Sequence, residues 1–330
     1  MPITRRALFT LDFDRPHDTD GRWLRVHRTA MACRFEVTLD REAAGHVAAA
    51  RGALDEADRL EAALTVFRDT SELSRVNREA AERATRVDAE LFSLLQRCAE
   101  LHAQTGGAFD ITSTPLSRCW GFLRREGRVP AAADIDAARA LVGMTRVTLD
   151  AEARTVRFAS PGMALNLGAI GKGYALDAMA RRLLAAGVTQ ALVSAGGSSA
   201  IAFGGRGRGW PIDLRSPQIP GRRLARLHLR DGALGTSGAG EQFVIADGTR
   251  YGHVIDPRTG WPARGVISAS VVTHDAATAD ALSTACLIGG ESLARDYCDR
   301  HPGTLVLLML EDGTGRPHRF GSFAGATVER

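Results

Sequence analysis

The chain is poor in the features that mark several common protein classes. Five cysteines in 330 residues (Cys33, Cys98, Cys119, Cys286 and Cys298) are an odd number, widely spread, with no C-x-x-C pair. That argues against a disulfide framework and against a structural zinc site, and it suits a reducing compartment. No apolar run approaches the roughly 20 residues that a membrane-spanning helix needs, so no membrane span is expected. Basic excess is slight: 42 Lys and Arg face 38 Asp and Glu, a formal charge of +4 with a pI of about 9.0. The arginine groups 124, 125 and 128, then 206, 208, 222 and 223, are small and interrupted by acids or glycines, which reads as solvated surface. Nucleic acid is therefore not expected as a partner. H-E-x-x-H, G-x-S-x-G and a strand-borne G-x-G-x-x-G are all missing, which disfavours zincins, α/β-hydrolases and Rossmann enzymes.

The N-terminal "TRRALFT" faintly echoes a twin-arginine export signal, but Asp12 and Asp14 interrupt the apolar segment such a signal requires. The expectation is a cytoplasmic protein, with periplasmic export through a poorly formed signal as the alternative. Residues 1–22 read as a flexible lead-in and residues 23–330 as the folded domain.

At 45% hydrophobic and 24% charged, the composition is that of an ordinary globular chain with a substantial core. Apolar positions at helical spacing predict a long helix over 42–66, a second from an Asp88 N-cap to Gly106-Gly107, a short one near 134–142, and one from Lys172 to Ala186 ended by Gly187. A further helix is expected at 275–288 and another at 291–300. Between them lie many short β-type runs: "LRVHRTAMACRFEVTL", "RVTLD", "TVRFA", "QALVSA", "SAIAF", "WPIDL", "RLHL", "QFVIA", "YGHVI", "ISASVV" and "TLVLLML". Long helices beside segregated, antiparallel-looking strands predict an α+β fold.

Five stretches could carry chemistry. "LNLGAIGKGYALD" (165–177) has a Gly-Lys pair opening a helix, yet position 166 is Asn and Gly173 follows Lys172, so it is not a Walker A loop. A helix starting near Ile170–Lys172 would still attract an anion through its first N–H groups and dipole, with Lys172 adding a full charge. Gly168, Gly171 and Gly173 would admit a ligand close to the backbone; a tight turn with a solvent lysine is the alternative, and Asp177 reads as a surface or packing residue. "LVSAGGSSA" (192–200) offers amides and hydroxyls around Gly197, or simply a hairpin turn. In "TGGAFDIT" (105–112) a helix ends and Phe109 and Asp110 could hold a heterocycle; Trp120 and Phe122 follow, equally explained as core. Asp247-Gly248 reads as a hairpin turn with Tyr251–Ile255 as the return strand, and Asp256–Gly260 as a fixed turn. That places His253 for proton transfer, or as a satisfied structural histidine. In "DAATADALSTACLIGG" (275–290) Asp280 and Thr284 are four apart and stack on one helix face. They are hard oxygen donors of the kind Mg²⁺ takes, or an inward Asp bonded to nearby amides.

Together and in this order, "MACRFEV", "SELSRVN", "TGGAFDITSTPLSRCWGF", "LNLGAIGKGYALD", "ALVSAGGS", "GTSGAGEQF", "HVIDPRTGWP" and "ADALSTA" resemble the ApbE family of FAD:protein FMN transferases over roughly residues 25–315. The resemblance implies an α+β fold of T-fold type, with two related halves around one flavin-binding cleft. It implies Mg²⁺ held by Asp280, Thr284 and the Ala169 carbonyl, and FAD contacted by Lys172. It places Met31, Ala108, Phe109 and Asp110 at flavin-contacting positions, Gly197 and Ser237 in matching segments, and His253 at a histidine needed for transfer, with Asp280 counted in the catalytic set. The implied partners are FAD as substrate and an acceptor flavoprotein whose Ser or Thr hydroxyl receives FMN while AMP leaves. The same site with water as nucleophile would make an FAD pyrophosphatase, and an inert version a FAD-binding protein. One departure stands out: Met31-Ala32-Cys33 replaces the family's usual Met-Gly-Thr, putting a methyl where a glycine hydrogen is common.

Overall fold

The computed structural model describes residues 23–124, 126–205, 207–216, 222–238, 240, 242–312 and 314–329. The lead-in expected over 1–22, with its paired arginines, lies outside the described residues, as do Arg125 and Arg206. In chain order the first strands are β1 (Trp23–Ala30), β2 (Cys33–Asp40), β3 (Thr85–Arg86), β4 (Val147–Asp150) and β5 (Thr155–Phe158). Then come β6 (Ala191–Ala195), β7 (Ser199–Phe203), β8 (Trp210–Arg215), β9 (Arg223–Leu229), β10 (Gly232–Gly238), β11 (Phe243–Ala246) and β12 (Thr249–Gly252). The last are β13 (Val266–Thr273), β14 (Leu305–Leu310), β15 (His318–Gly321) and β16 (Ala326–Glu329). Helices are α1 (Val47–Leu64), α2 (Glu72–Glu79), α3 (Ala89–Gln104), α4 (Thr114–Cys119), α5 (Ala132–Arg139), α6 (Gly171–Ala185) and α7 (Ala276–Arg300).

The chain forms two compact units, one containing Ala62–Ala169 and Ala239–Arg264, the other residues 23–61, Ile170–Gly238 and 265–329. The second is built on an eight-stranded sheet in the order β1-β2-β6-β7-β10-β13-β14-β15, antiparallel throughout. On one face α6 packs on β6 and β7, and α7 on β10, β13 and β14. The other face meets the three-stranded sheet β16-β9-β8 through a core that includes Trp210, Ile212, Leu227, Leu234, Val272 and Leu305. In the first unit β3-β5-β4 form a small sheet and β11-β12 a ribbon. Leu116, Trp120, Phe122, Ile135 and Ile255 form a core there, so both aromatics of "PLSRCWGF" are packing residues.

Local chemistry sets the helix ends. Asp88 caps α3 by accepting from Leu91 N at 2.7 Å, and Gly106 and Gly107 take the left-handed backbone that ends it. Asp275 caps α7 through Thr278 N at 2.8 Å. At Gly290 (φ 64°, ψ −153°) α7 breaks, so the two helices expected there are its two arms. All five cysteines are free, and burial pushes the Cys98 and Cys286 thiols well above their ordinary range and Cys298 to about 11. Thiolate chemistry has no place at those three positions.

Two expectations need correction. The return strand expected over Tyr251–Ile255 stops at Gly252, because the chain leaves the ribbon for Ile255 to bridge Pro262 around the Asp256–Gly260 turn. His253 sits just past the strand, tied by its N–H to the Gln242 carbonyl at 3.0 Å. The central strand β10, "GALGTSG", was not expected as a strand at all. Its glycines weaken β-propensity, but at Gly235 the missing side chain is what the packing uses. A Cβ there would lie 2.4 Å from the Ala279 carbonyl oxygen of α7.

Two consequences can be measured. Gly235→Ala forces a methyl against helix backbone and is expected to destabilise by about 3 kcal/mol, read as a lower urea midpoint. The β1–β2 hairpin closes through Met31 (φ 49°) and Ala32 (φ 58°), both left-handed as such a two-residue turn requires. Ala32→Gly relieves roughly 1–2 kcal/mol of side-chain strain and frees the unfolded chain by about 0.4–1 kcal/mol. A net gain of between zero and about 1.5 kcal/mol is expected in the same unfolding experiment.

Candidate active site

The N-termini of α6 and α7 are capped by each other's carboxylates. Asp177, on the second turn of α6, accepts from Ala276 N (2.7 Å) and Ala277 N (2.9 Å) at the start of α7. Asp280, on the second turn of α7, accepts from Gly173 N (3.1 Å) in the first turn of α6. Gly173 makes this approach possible, since a Cβ on it would stand 2.0 Å from the Ala276 carbonyl oxygen. Its bareness is thus used by the neighbouring helix, and Asp177 is a buried capping residue and not a surface one. The anion that the start of α6 attracts is, in the first instance, a side chain of this chain.

Around Asp280 the polar groups converge. The residue is 3% exposed, and its Oδ1 receives Ser199 Oγ at 3.0 Å and lies 3.3 Å from Lys172 Nζ. One turn along α7, Thr284 Oγ1 is 3.0 Å from Ser237 Oγ, which also bonds Ser283 Oγ at 2.7 Å. Ser283 Oγ in turn donates to the Asp280 carbonyl at 2.8 Å. Alternation along β10 aims Ser237 at α7 while Thr236, on the opposite face, bonds Ser270 at 2.9 Å. Lys172 is the only lysine in the chain; every other residue of that charge type is arginine. That count was available from the sequence and singles out the one position where a compact ammonium is used. Ser199 had no such signal.

Next to this cluster in the sheet, Gly196 (φ 62°) and Gly197 (φ 69°) form the β6–β7 turn, so that stretch is a hairpin. Gly196 N donates to Arg34 O at 2.9 Å, which sets the turn beside the one carrying Met31, with Cys33 Sγ 3.1 Å from where a Cβ on Gly196 would be.

In the other unit the segment 105–112 is held from several sides. Ala108 and Phe109 are each 1% exposed. Asp110 Oδ1 accepts from Thr112 N (2.8 Å) and Thr112 Oγ1 (2.6 Å), and Oδ2 from Met144 N (3.1 Å), with His102 Nδ1 at 3.2 Å. The carboxylate is therefore an internal acceptor that shapes the loop. Asn77, from "SELSRVN", clamps Leu165 in both directions: Leu165 N donates to Oδ1 (2.7 Å) and Nδ2 donates to Leu165 O (2.9 Å). Asn166 N donates to Ile111 O at 2.8 Å, and Gly168 N to Asn166 Oδ1 at 2.8 Å, fixing the chain up to half-buried Ala169. His253 is half-buried in this unit. Neither Asn77 nor His102 was marked by the sequence as functional.

The donors about Asp280 suit a hard divalent cation: one carboxylate and hydroxyl oxygens, with no imidazole or thiol beside them among the described residues. Among the described residues no three His, Cys, Asp or Glu side chains gather to hold a metal, so a nitrogen- or sulfur-ligated site has no candidate there. No helix among the described residues is long and apolar enough to cross a membrane.

Known proteins resemble this chain over most of its length. A model of the ApbE family matches residues 31–308. An FAD:protein FMN transferase of Treponema pallidum is 32% identical over 296 residues, covering 85% of this chain and 82% of that one. One from Vibrio cholerae serotype O1 is 29% identical over 265 residues, covering 79% of each. The crystal structure of the ApbE protein from Thermotoga maritima superposes with a TM-score of 0.83 at 28% identity, covering 91% of this chain and 97% of that one. The fold is thus the α+β fold of the solved ApbE structures, and the chain belongs to the ApbE family.

Proposed function

We propose that the chain transfers the FMN moiety of FAD to a Ser or Thr hydroxyl of an acceptor protein, releasing AMP in a Mg²⁺-dependent reaction. The observation that carries this reading is Asp280: a buried carboxylate held beside the chain's single lysine, one helical turn from Thr284. Relatives named FAD:protein FMN transferases supply the reaction class.

Asp280 and Thr284 would hold the Mg²⁺, with the Ala169 carbonyl as the further oxygen the family resemblance assigns. A cation held by these oxygens would supply charge neutralisation at the pyrophosphate and Lewis-acid polarisation of its bridge. Lys172 offers its ammonium to the phosphate oxygens, a contact that strengthens as charge moves onto the leaving group. The acceptor hydroxyl oxygen attacks the FMN-side phosphorus, the bond from that phosphorus to the bridging oxygen breaks, and AMP leaves with the oxygen. His253 takes the hydroxyl proton. Positioning and electrostatics supply most of such a phosphoryl transfer. Met31 and Gly197, on adjoining turns of one sheet, and the buried Ala108–Asp110 loop contact the flavin in this reading. Ser237 orients the Thr284 hydroxyl.

The test incubates the protein with FAD and an acceptor carrying a Thr-bearing segment, with and without Mg²⁺, on a denaturing gel under ultraviolet light while AMP is followed. A fluorescent acceptor band that needs Mg²⁺, with one AMP per flavin attached, is expected. AMP with free FMN and no band would assign hydrolysis instead, and FAD binding without any AMP would leave a binding protein. Lys172→Met is expected to lower turnover by about a hundredfold, the scale of losing one aimed electrostatic contact.

A further inference from the structure

We propose that His102 is a positioning residue for the flavin-contacting loop, and that its positive charge strengthens FAD binding by holding Phe109 and Asp110 in place. This rests on the reading above, in which residues 108–110 meet the flavin.

The geometry is specific. His102 lies in the last turn of α3, and Nδ1 faces two acceptors at once: the Phe109 carbonyl oxygen at 3.1 Å and Asp110 Oδ2 at 3.2 Å. A carbonyl and a carboxylate can only accept, so Nδ1 carries the proton. The Asp110 side chain is 2% exposed and that of His102 16%, so the pair interacts with little screening by water. One imidazole thus grips the backbone of one loop residue and the side chain of the next. The loop itself closes back on α3: Gly107 N donates to His102 O at 2.9 Å and Phe109 N to Thr105 Oγ1 at 3.2 Å. Through Asp110 the same grip extends to Thr112 and Met144.

The charge on His102 is set by few neighbours. It lines a cleft of about 490 Å³ that also holds Asp136, Arg139 and Arg258. Asp136 and Arg139 pair with each other at 3.2 Å, and Arg258 pairs with Asp256 at 2.8 Å. Asp110 is left as the group that faces the imidazole directly. Its hydrogen bond raises the His102 pKa above the ordinary imidazole value, against the opposing effect of burial. The ion pair is complete at mildly acid pH and is lost as pH rises through the raised pKa; the Nδ1–H bonds survive in the neutral ring, while the Coulombic part does not.

The experiment measures FAD affinity by flavin fluorescence from pH 5.5 to 9, alongside turnover at saturating FAD. For wild type, the dissociation constant is expected to rise by up to about tenfold with increasing pH as the charge on His102 is lost. His102→Asn, which keeps a donor but cannot titrate, should bind at the wild-type high-pH level and lose that pH step. His102→Leu should bind more weakly at every pH, and saturating turnover should change little in either variant. A purely structural role would lower the folded population without removing the pH step from the protein that remains. Variants that bind FAD as wild type does, with the same pH course, would overturn the proposal while leaving the flavin reading intact. A wild type that binds no FAD would overturn that reading and this one with it.

Discussion

The structure depends on the reciprocal capping of α6 and α7. Two helix N-termini brought this close would ordinarily oppose each other, since each carries the positive end of a dipole and unsatisfied N–H groups. Asp177 and Asp280 resolve the conflict by each serving the other helix. The exchange requires backbone contact at the crossing, which Gly173 supplies from α6 and Gly235 from β10. Once α7 is seated this way, Asp280 and Thr284 face Ser199, Ser237 and Lys172 without further adjustment. The site is a by-product of the packing.

The same arrangement explains why a carboxylate can stay buried. Removing an ionised group from water is costly unless charge and hydrogen bonds replace the solvent. Asp280 receives a backbone N–H, a hydroxyl and an ammonium, which together stand in for water. An ammonium is also a mobile partner on a flexible stem. Lys172 can therefore balance Asp280 in the protein alone and serve phosphate oxygens when substrate brings its own charge. Arginine, used everywhere else in the chain, is larger and fixed in a planar fork.

Much of this was legible in the sequence, and the failures have physical causes. Asp88 before the leucines of α3 and Gly187 after α6 are local signals, and they read correctly. The i, i+4 spacing of Asp280 and Thr284 is also local, and both side chains turn inward to serines of the neighbouring strands. The strand β10 did not, because its residues were chosen for what they leave empty beneath α7 and not for strand propensity. His253 fell outside its expected strand because the chain turns away to the Ile255–Pro262 bridge, which closes the next turn and so sets where the ribbon ends. Asp177, Asn77 and His102 could not be assigned from spacing at all. Their partners are 99, 88 and up to 8 positions away, and the first two contacts exist only after folding.

The most direct test of the central claim is calorimetric titration of Mg²⁺ into the FAD-loaded wild type and its Asp280→Asn variant, which keeps the side chain's size and can still accept from Gly173. One Mg²⁺ per chain in wild type and none in the variant is the result this account predicts. Equal Mg²⁺ binding by both would show that Asp280 is a helix cap and nothing more.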